Sequence, residues 1–491
     1  MLQYVKWIQG IEFMLNGLSV STGLITLAVY GLFAYMLTYI YSKGYNNNKE
    51  SYLVARRELN TFQGSMSVAA AWLWAPGLFI SAQQAYVNGL EGLFWFCFGN
   101  FLTLGAFAWF ARRIREWAPN GFTFSGYLKD RFSSRVQYLF VAEMMLLAIC
   151  AFAINLLAGS KTVEALTGLN YNFVTALMAV IALLYSFRTG LKATVVTEMI
   201  KIVVVWTGAV VLVPWVIMNA GGWDTVVAGL AGKGGGEVSF TWGVFAGFGA
   251  AAFLGHMGGP WGDNSFYQRA FAIKKESIIP SFVYASGIFI VIPIMMGLLG
   301  FVAAGSGLQI ENVGVTNAVT IAHFLPPAAS IFFMFMIFSG LVSILDSQFA
   351  SVANMTGHDL FNALKFKGGD KEVIRYAQTG MLALVTFGLI IANIPDMQIV
   401  YLFLFFAVLR ASVWLPSMIS LLKPEWVTEK GMFWGILIPA TVGEVLFVMG
   451  KLGYSDTAFQ GTLIAVFGSP LLTLVISYYE NAYTDRSARI G

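Results

Sequence analysis

Two long apolar stretches of this chain are each interrupted by glycine and proline, and the interruptions fall in corresponding places. The first is expected at Ala75-Pro76-Gly77, the second at Gly255-His256-Met257-Gly258-Gly259-Pro260. Each lies in the opening span of a run of about five hydrophobic spans. Inside a bilayer, backbone leaves its helix only where protein or a water-filled cavity satisfies the freed N–H and C=O groups. Two matched breaks therefore point to the solute and ion site of an inverted-repeat membrane transporter.

The bulk of the chain agrees with spans rather than with a soluble core. Of 491 residues, 58% are hydrophobic and 11% charged, against about 25% charged in a soluble domain. The expected fold class is an all-α polytopic membrane protein. Thirteen transmembrane helices are expected: a leading helix near 22–42, then twelve beginning near 62, 90, 136, 172, 193, 242, 278, 328, 373, 398, 430 and 458. Aligning the two breaks gives a first repeat at 62–220 and a second at 242–421. Residues 1–61 then hold the leading helix and first loop, and 422–491 hold two trailing helices and a short tail. No cleavable signal peptide and no soluble domain are expected. Cys97 and Cys150 fall within spans and read as small buried hydrophobes.

Basic residues sort by loop. Lys43, Lys49, Arg56 and Arg57 open a series that continues in alternate loops through Arg112–Arg135, Arg188–Lys192, Arg269–Lys275, Lys365–Arg375, Lys423–Lys430 and Arg486–Arg489. It holds 23 of the 29 basic residues, whereas Lys6, Lys161, Lys233 and Lys451 lie opposite. Basic loops stay cytoplasmic. The N-terminus is thus expected outside and the C-terminus inside, which requires an odd number of spans. The expected location is the plasma, or inner, membrane. A nucleic-acid surface is not indicated, and no obligatory protein partner is evident.

The breaks also supply candidate ligands. Pro76 removes a donor, so carbonyls one turn earlier, around Ala70 to Leu73, become free to coordinate a cation. Trp72, Trp74, Pro76 and Gly77 would face the solute from the first break. From the second, Gly259 lets a ligand approach the backbone, His256 offers a polar contact and Trp261 a stacking face. Asp263 lies nearer the inner end, where a gating or structural ion pair suits it. In the eighth span after the leader, Ser339, Ser343, Asp346 and Ser347 share a face at helical spacing. Their hydroxyls could complete an oxygen shell, or bond back to their own helix.

Ionisable groups within spans are costly and functional by default. Here they are Glu143, Glu198, Lys201, Asp346, Arg410 and Glu444. Glu198 and Lys201, one turn apart, are spaced to pair. Three roles are open for Arg410: pairing with Asp346, neutralising a solute carboxylate, or bracing a gate.

Several stretches resemble the sodium/solute symporter family over nearly the whole length. Thr189-Gly190-Leu191-Lys192-Ala193-Thr194-Val195-Val196-Thr197-Glu198-Met199-Ile200-Lys201 is similar to a family signature, with Glu198 for its Asp and Lys201 for its Gln. Ser339 to Ser347 resembles the family's sodium-binding helix, and Trp261 to Ala270 the inner end of its sixth core helix. The resemblance implies a LeuT-type 5+5 inverted repeat with one leading and two trailing helices. It also implies a Na⁺ site built from Ala70, Leu73, Ser339 and position 340. Position 340 is Gly340, so one hydroxyl is missing, and Ser343 or water could substitute. A second position would use Ser339, Ser343 and Glu198. These departures keep H⁺ coupling open. Trp72-Leu73-Trp74-Ala75, Tyr86-Val87-Asn88-Gly89, Gly92-Leu93-Phe94-Trp95 and Asp263 to Ala270 resemble the urea symporter branch.

The function expected is sodium-coupled symport of a small polar organic solute, urea-like, by alternating access. Proton-coupled or uncoupled transport, and sodium-coupled transport of an amino acid such as proline or of a sugar, are the alternatives. A catalytic role is not indicated, because no HExxH or GxSxG site occurs and His256, His323 and His358 are scattered.

Overall fold

A chain that cannot give its backbone to water must close its hydrogen bonds locally, and this one does so by helices. The structure, a computed structural model, describes residues 18–42, 49–186, 191–454 and 457–490. Among them there is no strand, only an isolated bridge between Leu59 and Ile273.

The elements used below are α1 (Val20–Ser42), α2 (Thr61–Trp72), α3 (Ala75–Trp117), α4 (Ser134–Thr167), α5 (Tyr171–Ser186), α6 (Leu191–Asn219), α7 (Ala250–Gly258) and α8 (Asn264–Ala272). They continue with α9 (Ile278–Gly305), α10 (Pro327–Asn354), α11 (Asp370–Ala392), α12 (Ile399–Ser412), α13 (Glu429–Lys451) and α14 (Ser469–Ile490). Ten described helices are long and apolar enough to cross a membrane. Nine of these ten start within a few residues of the positions read from hydropathy; the exception is Ala75–Trp117, which runs through the start expected near 90.

α3 is 43 residues long and turns at Gly89 (φ 61°, ψ −146°). A Cβ there would lie 2.3 Å from the Leu230 carbonyl oxygen. Only glycine accepts both the dihedral and the contact. The loop at 220–240 is strapped to this corner by Leu90 N–H donating to the Leu230 carbonyl (2.8 Å) and Lys233 N–H to the Tyr86 carbonyl (2.7 Å).

α9 packs along both α3 and α2, and α10 lies between α4, α6 and α11. Much of α10 is buried, including Ser339 through Asn354 without a gap. Its polar residues therefore face protein rather than lipid. α13 and α14 pair with each other and α13 rests on α12, whereas α1 leans on α5 and α6.

The basic loops gather at one end of the bundle. Arg57 donates to the carbonyls of Asn120 (3.0 Å) and Gly121 (2.8 Å), Arg112 to Lys275 (2.6 Å) and Arg131 to Pro424 (2.6 Å). Lys49 reaches His358 Nδ1 at 2.8 Å. At the opposite end Lys161 donates to the Met397 carbonyl (2.8 Å). Of the basic residues counted above, Lys6, Lys43 and Arg188 lie outside the described residues, as do the side chains of Lys192, Arg486 and Arg489. Thr189, Gly190 and the Ala193 side chain of the signature stretch also fall outside.

Candidate functional site: a buried cavity between two broken helices

The first interruption is real but sits two residues earlier than expected. α2 starts at a capping box, in which Asn60 accepts from Gln63 N–H and Gln63 accepts from Asn60 N–H. It ends at Trp72. Leu73 (φ −84°, ψ 77°) and Trp74 (φ −109°, ψ 174°) leave the helix, and α3 resumes at Ala75. Pro76 is tolerated in a first turn, where its missing amide is not needed. So the chain breaks before Ala75-Pro76-Gly77, and those residues restart the helix. The Ala75 amide donates to Asn155 Oδ1 of α4 (2.9 Å) and the Gly77 amide to the Trp74 carbonyl (2.9 Å). Neither serves the carbonyl one helical turn back, at Ala71 or Leu73. The Ala70 carbonyl accepts only a long bond from Leu73 N–H, at 3.3 Å. These carbonyls thus lack their usual helical donors.

The second interruption is displaced the other way. Gly255 to Gly258 stay helical in α7, and the break runs from a short turn at Gly259–Trp261 to Asp263 (φ −119°, ψ 111°). Gly255 and Gly258 are packing glycines. A Cβ would meet Ala407 Cβ at 2.3 Å and Ala411 Cα at 2.7 Å on α12. Asp263 caps α8 by accepting from Ser265 N–H at 2.8 Å.

Both breaks open on one narrow cavity of about 10 Å³, room for about one water molecule in this closed arrangement. Ala71, Trp72 and Trp74 enter from the first break and Asp263 from the second. Gln348 of α10 and Arg410 of α12 complete the polar wall. Arg410 is 1% exposed, and its guanidinium lies over Trp72 (5.4 Å), Trp74 (5.2 Å) and Phe406 (4.7 Å). Cation–π contact holds the group against these rings. Its Nε and Nη2 nevertheless have no hydrogen-bond partner. Gly259 makes room for this arrangement: a Cβ would lie 2.2 Å from Trp72 Cη2 and 3.2 Å from Arg410 Nη1.

Four sequence candidates stand behind the cavity instead of lining it. His256 is buried edge-on to Phe96 and meets Asn100 Nδ2 through Nε2 at 3.0 Å. Asn100 Oδ1 accepts from Trp72 Nε1 at 2.9 Å. The imidazole thus orients Trp72 from the rear. Trp261 packs against Phe107 (5.0 Å), Phe110 and Trp414. Pro76 and Gly77 sit in the first turn of α3, with Gly77 against Phe289. Residue type marks these side chains as possible solute contacts but does not show which side of the helix they occupy.

The buried charges pair differently from the expectation. Glu198 does not pair with Lys201, nor Arg410 with Asp346. Lys201 on α6 bridges to Asp346 on α10, which also accepts from Ser186 Oγ at 2.8 Å. Glu198 meets Arg269 of α8 at 2.5 Å, and both are 0% exposed. Ser67 Oγ (2.6 Å) and Ser347 Oγ (2.5 Å) also donate to Glu198. Arg269 donates further to Ser67 Oγ (2.9 Å) and Ser347 Oγ (2.8 Å). One network thus ties α2 and α8 to α6 and α10. Glu198, proposed from sequence as an ion ligand, is occupied by these partners. Arg269, Asn100, Asn155 and Gln348 were missed as site residues. Their signal was a long polar side chain inside an apolar stretch.

On α10, Ser339 Oγ bonds back to the Phe335 carbonyl (2.9 Å), whereas buried Ser343 Oγ has no partner. At Gly340 a Cβ would stand 2.8 Å from Leu78 Cδ1, so helix contact uses that position. The fit to a hard cation therefore rests on Ser343, Ser339 and the loosened carbonyls of α2, which packs on α10.

Two broken helices converging on one cavity in an all-helical, multi-span chain are the arrangement of a membrane transporter. Solved structures agree on the fold. A Na⁺-coupled sialic acid symporter matches with TM-score 0.77 and 14% identity over 93% of this chain and 98% of that one. A nucleobase-cation-symport-1 family transporter matches with TM-score 0.59 and 14% identity over 90% and 96%. Residues 52–439 match the sodium:solute symporter family, and the chain belongs to it. Among curated relatives, the urea-proton symporter DUR3 of Oryza sativa subsp. japonica is 22% identical over 89% of this chain and 67% of its own length. A probable urea active transporter of Schizosaccharomyces pombe is 24% identical over 94% and 76%. A sodium/proline symporter of Staphylococcus aureus is 25% identical over 76% and 75%. The chain is a multi-pass transporter of this family, not an enzyme.

Proposed function

We propose that this protein is a cation-coupled symporter of a small, urea-like solute, working by alternating access in the plasma membrane. The observation that carries the reading is Arg410, a buried residue lining the cavity between the two helix breaks, with two N–H-bearing nitrogens that have no partner among the described residues. Such donors are costly to bury unless a ligand meets them during the cycle. Dividing α3 at Gly89, joining each broken helix across its gap and including α5 gives thirteen crossings. The basic end is then cytoplasmic, the N-terminus outside and the C-terminus inside. The repeats are 62–220 and 242–421.

In this reading, sodium is bound by the carbonyls of Ala70 and Leu73 with the hydroxyls of Ser343 and Ser339. Asp263 borders the solute, and the Glu198–Arg269 network closes the inner end while the solute is bound. Lys201 with Asp346 favours a second reading, coupling to H⁺, because it already holds a monovalent cation, the lysine ammonium, beside the same helix. Urea finds support in the named relatives, and proline in another.

The test is electrical: purified protein in liposomes, a jump in external urea with and without Na⁺, repeated with proline and with a pH gradient. A Na⁺-dependent inward current with urea supports the proposal in full. Current driven only by the pH gradient selects the second reading. Tracer flux indifferent to both cations would sink coupled transport altogether.

A further inference from the structure

The polar atoms of the cavity are unsatisfied in a pattern. Among the described residues, the lining side chains include donors without partners, Arg410 Nε, Arg410 Nη2 and Trp74 Nε1. Gln348 donates its amide Nε2 to Asp263 Oδ2 (3.2 Å), and its Oε1 is left as a buried acceptor without a partner. That donation to a carboxylate fixes which end of the amide is oxygen. The Asp263 carboxylate, bonded to Ser265 N–H and Gln348 Nε2, keeps further lone pairs. Gln348 is 2% exposed and Trp74 4%. The cavity carries one positive and one negative group, Arg410 and Asp263, which form no salt bridge with each other.

We infer that this cavity selects solutes, neutral overall, that present a carbonyl or carboxylate oxygen to Arg410 and Trp74 and, on the same small body, an N–H to Gln348 Oε1 and Asp263. The inference rests on reading this cavity as the solute site. An oxygen with two lone pairs meets the two guanidinium donors at once, as the planar fork of arginine favours. An N–H elsewhere on the solute is required because an acceptor-only solute leaves Gln348 Oε1 buried and unmatched. A donor-only cation brings a second positive charge to Arg410. An acceptor-only anion brings a second negative charge to Asp263. Gln348, which sequence analysis did not single out, is thereby a specificity-determining residue.

The experiment is binding, read by quenching of tryptophan fluorescence in the full-length protein in detergent, in the presence of Na⁺ at neutral pH. Binding does not depend on coupling, so symport can fail while this inference stands, and the reverse. The probes are urea, acetamide and proline, which carry both groups, against tetramethylurea and N,N-dimethylproline, which lack the N–H. Guanidinium, which lacks the oxygen, and acetate, which is an anion without N–H, complete the set. At least one of the first three is expected to bind at least 50-fold more tightly than its N-methylated counterpart and than guanidinium or acetate. Gln348→Leu is expected to shrink the preference for N–H over N-methyl to less than fivefold, and Arg410→Gln to weaken all oxygen-bearing probes at least tenfold. Thermal unfolding of each variant establishes that it is folded, and the wild-type selectivity needs no variant. Equal binding of a solute and its fully N-methylated form overturns the inference, as does preferential binding of guanidinium or binding of none of the three.

Discussion

Replacing Glu198 by glutamine should open the end of the molecule that gathers the basic loops. Glu198 accepts from Arg269 (2.5 Å), Ser67 (2.6 Å) and Ser347 (2.5 Å). Arg269, Ser67, Ser347 and Glu198 are all 0% exposed. Hydrogen bonds to a charged group contribute about 1.5–3 kcal/mol each, and removing one member of a buried ion pair costs about 3–5 kcal/mol because the other charge is left uncompensated. The partners come from α2 and α8 on one side and α6 and α10 on the other. Separating these pairs of helices must break the network, so its loss falls mainly on the closed arrangement. Taking the lower figure, about 3 kcal/mol shifts a closed–open equilibrium roughly 150-fold toward open. The assay is thiol labelling of Ala71→Cys, a cavity-lining position, after Cys97 and Cys150 are replaced by alanine. A membrane-impermeant reagent supplied from the basic-loop side should react at least tenfold faster in Glu198→Gln than in the parent. An unchanged rate in a folded variant would refute the latch, and the network would then be structural packing alone.

Other outcomes follow from neighbouring contacts. Lys201→Gln alone should lower stability by about 3 kcal/mol or more by stranding Asp346, while Lys201→Gln with Asp346→Asn should recover most of the loss, as read by thermal unfolding in detergent. Asn155→Ala leaves the Ala75 amide without its acceptor and should cost about 1–3 kcal/mol in the same assay. Ser343→Ala should raise the half-saturating Na⁺ concentration of transport about tenfold, the equivalent of losing one buried polar contact, with a smaller change for Ser339→Ala. An unaltered Na⁺ response would remove Ser343 from the ion site. Gly89→Ala should destabilise by about 1–3 kcal/mol from its dihedral alone, and more from the contact with Leu230; wild-type unfolding would contradict the corner described here.

Much of this protein was legible in its sequence. Hydropathy located most of the long helices, because a bilayer leaves helical closure as the way to satisfy an apolar stretch of backbone. The same rule made the two interruptions visible, and Pro76 and Gly259 mark them to within a few residues. Alternating loop charge anticipated that Lys49, Arg112, Arg131 and Lys275 would share one end. The partners were not legible. Glu198 and Lys201 are one turn apart and look like a pair, yet Arg269 and Asp346 claim them, because side chains three residues apart on a buried helix can face different neighbours. His256 and Trp261 have the chemistry of ligand contacts, but helix rotation turns them behind Trp72 and into an aromatic wall. Arg410 and Gln348 lie 62 positions apart in the chain and meet at one cavity only through the packing of α10 and α12 around the breaks. Sequence determines where backbone must be helical and where it can stop. Which side chains then share a buried space depends on helix rotation and crossing, which no periodicity in a nearly all-apolar span encodes.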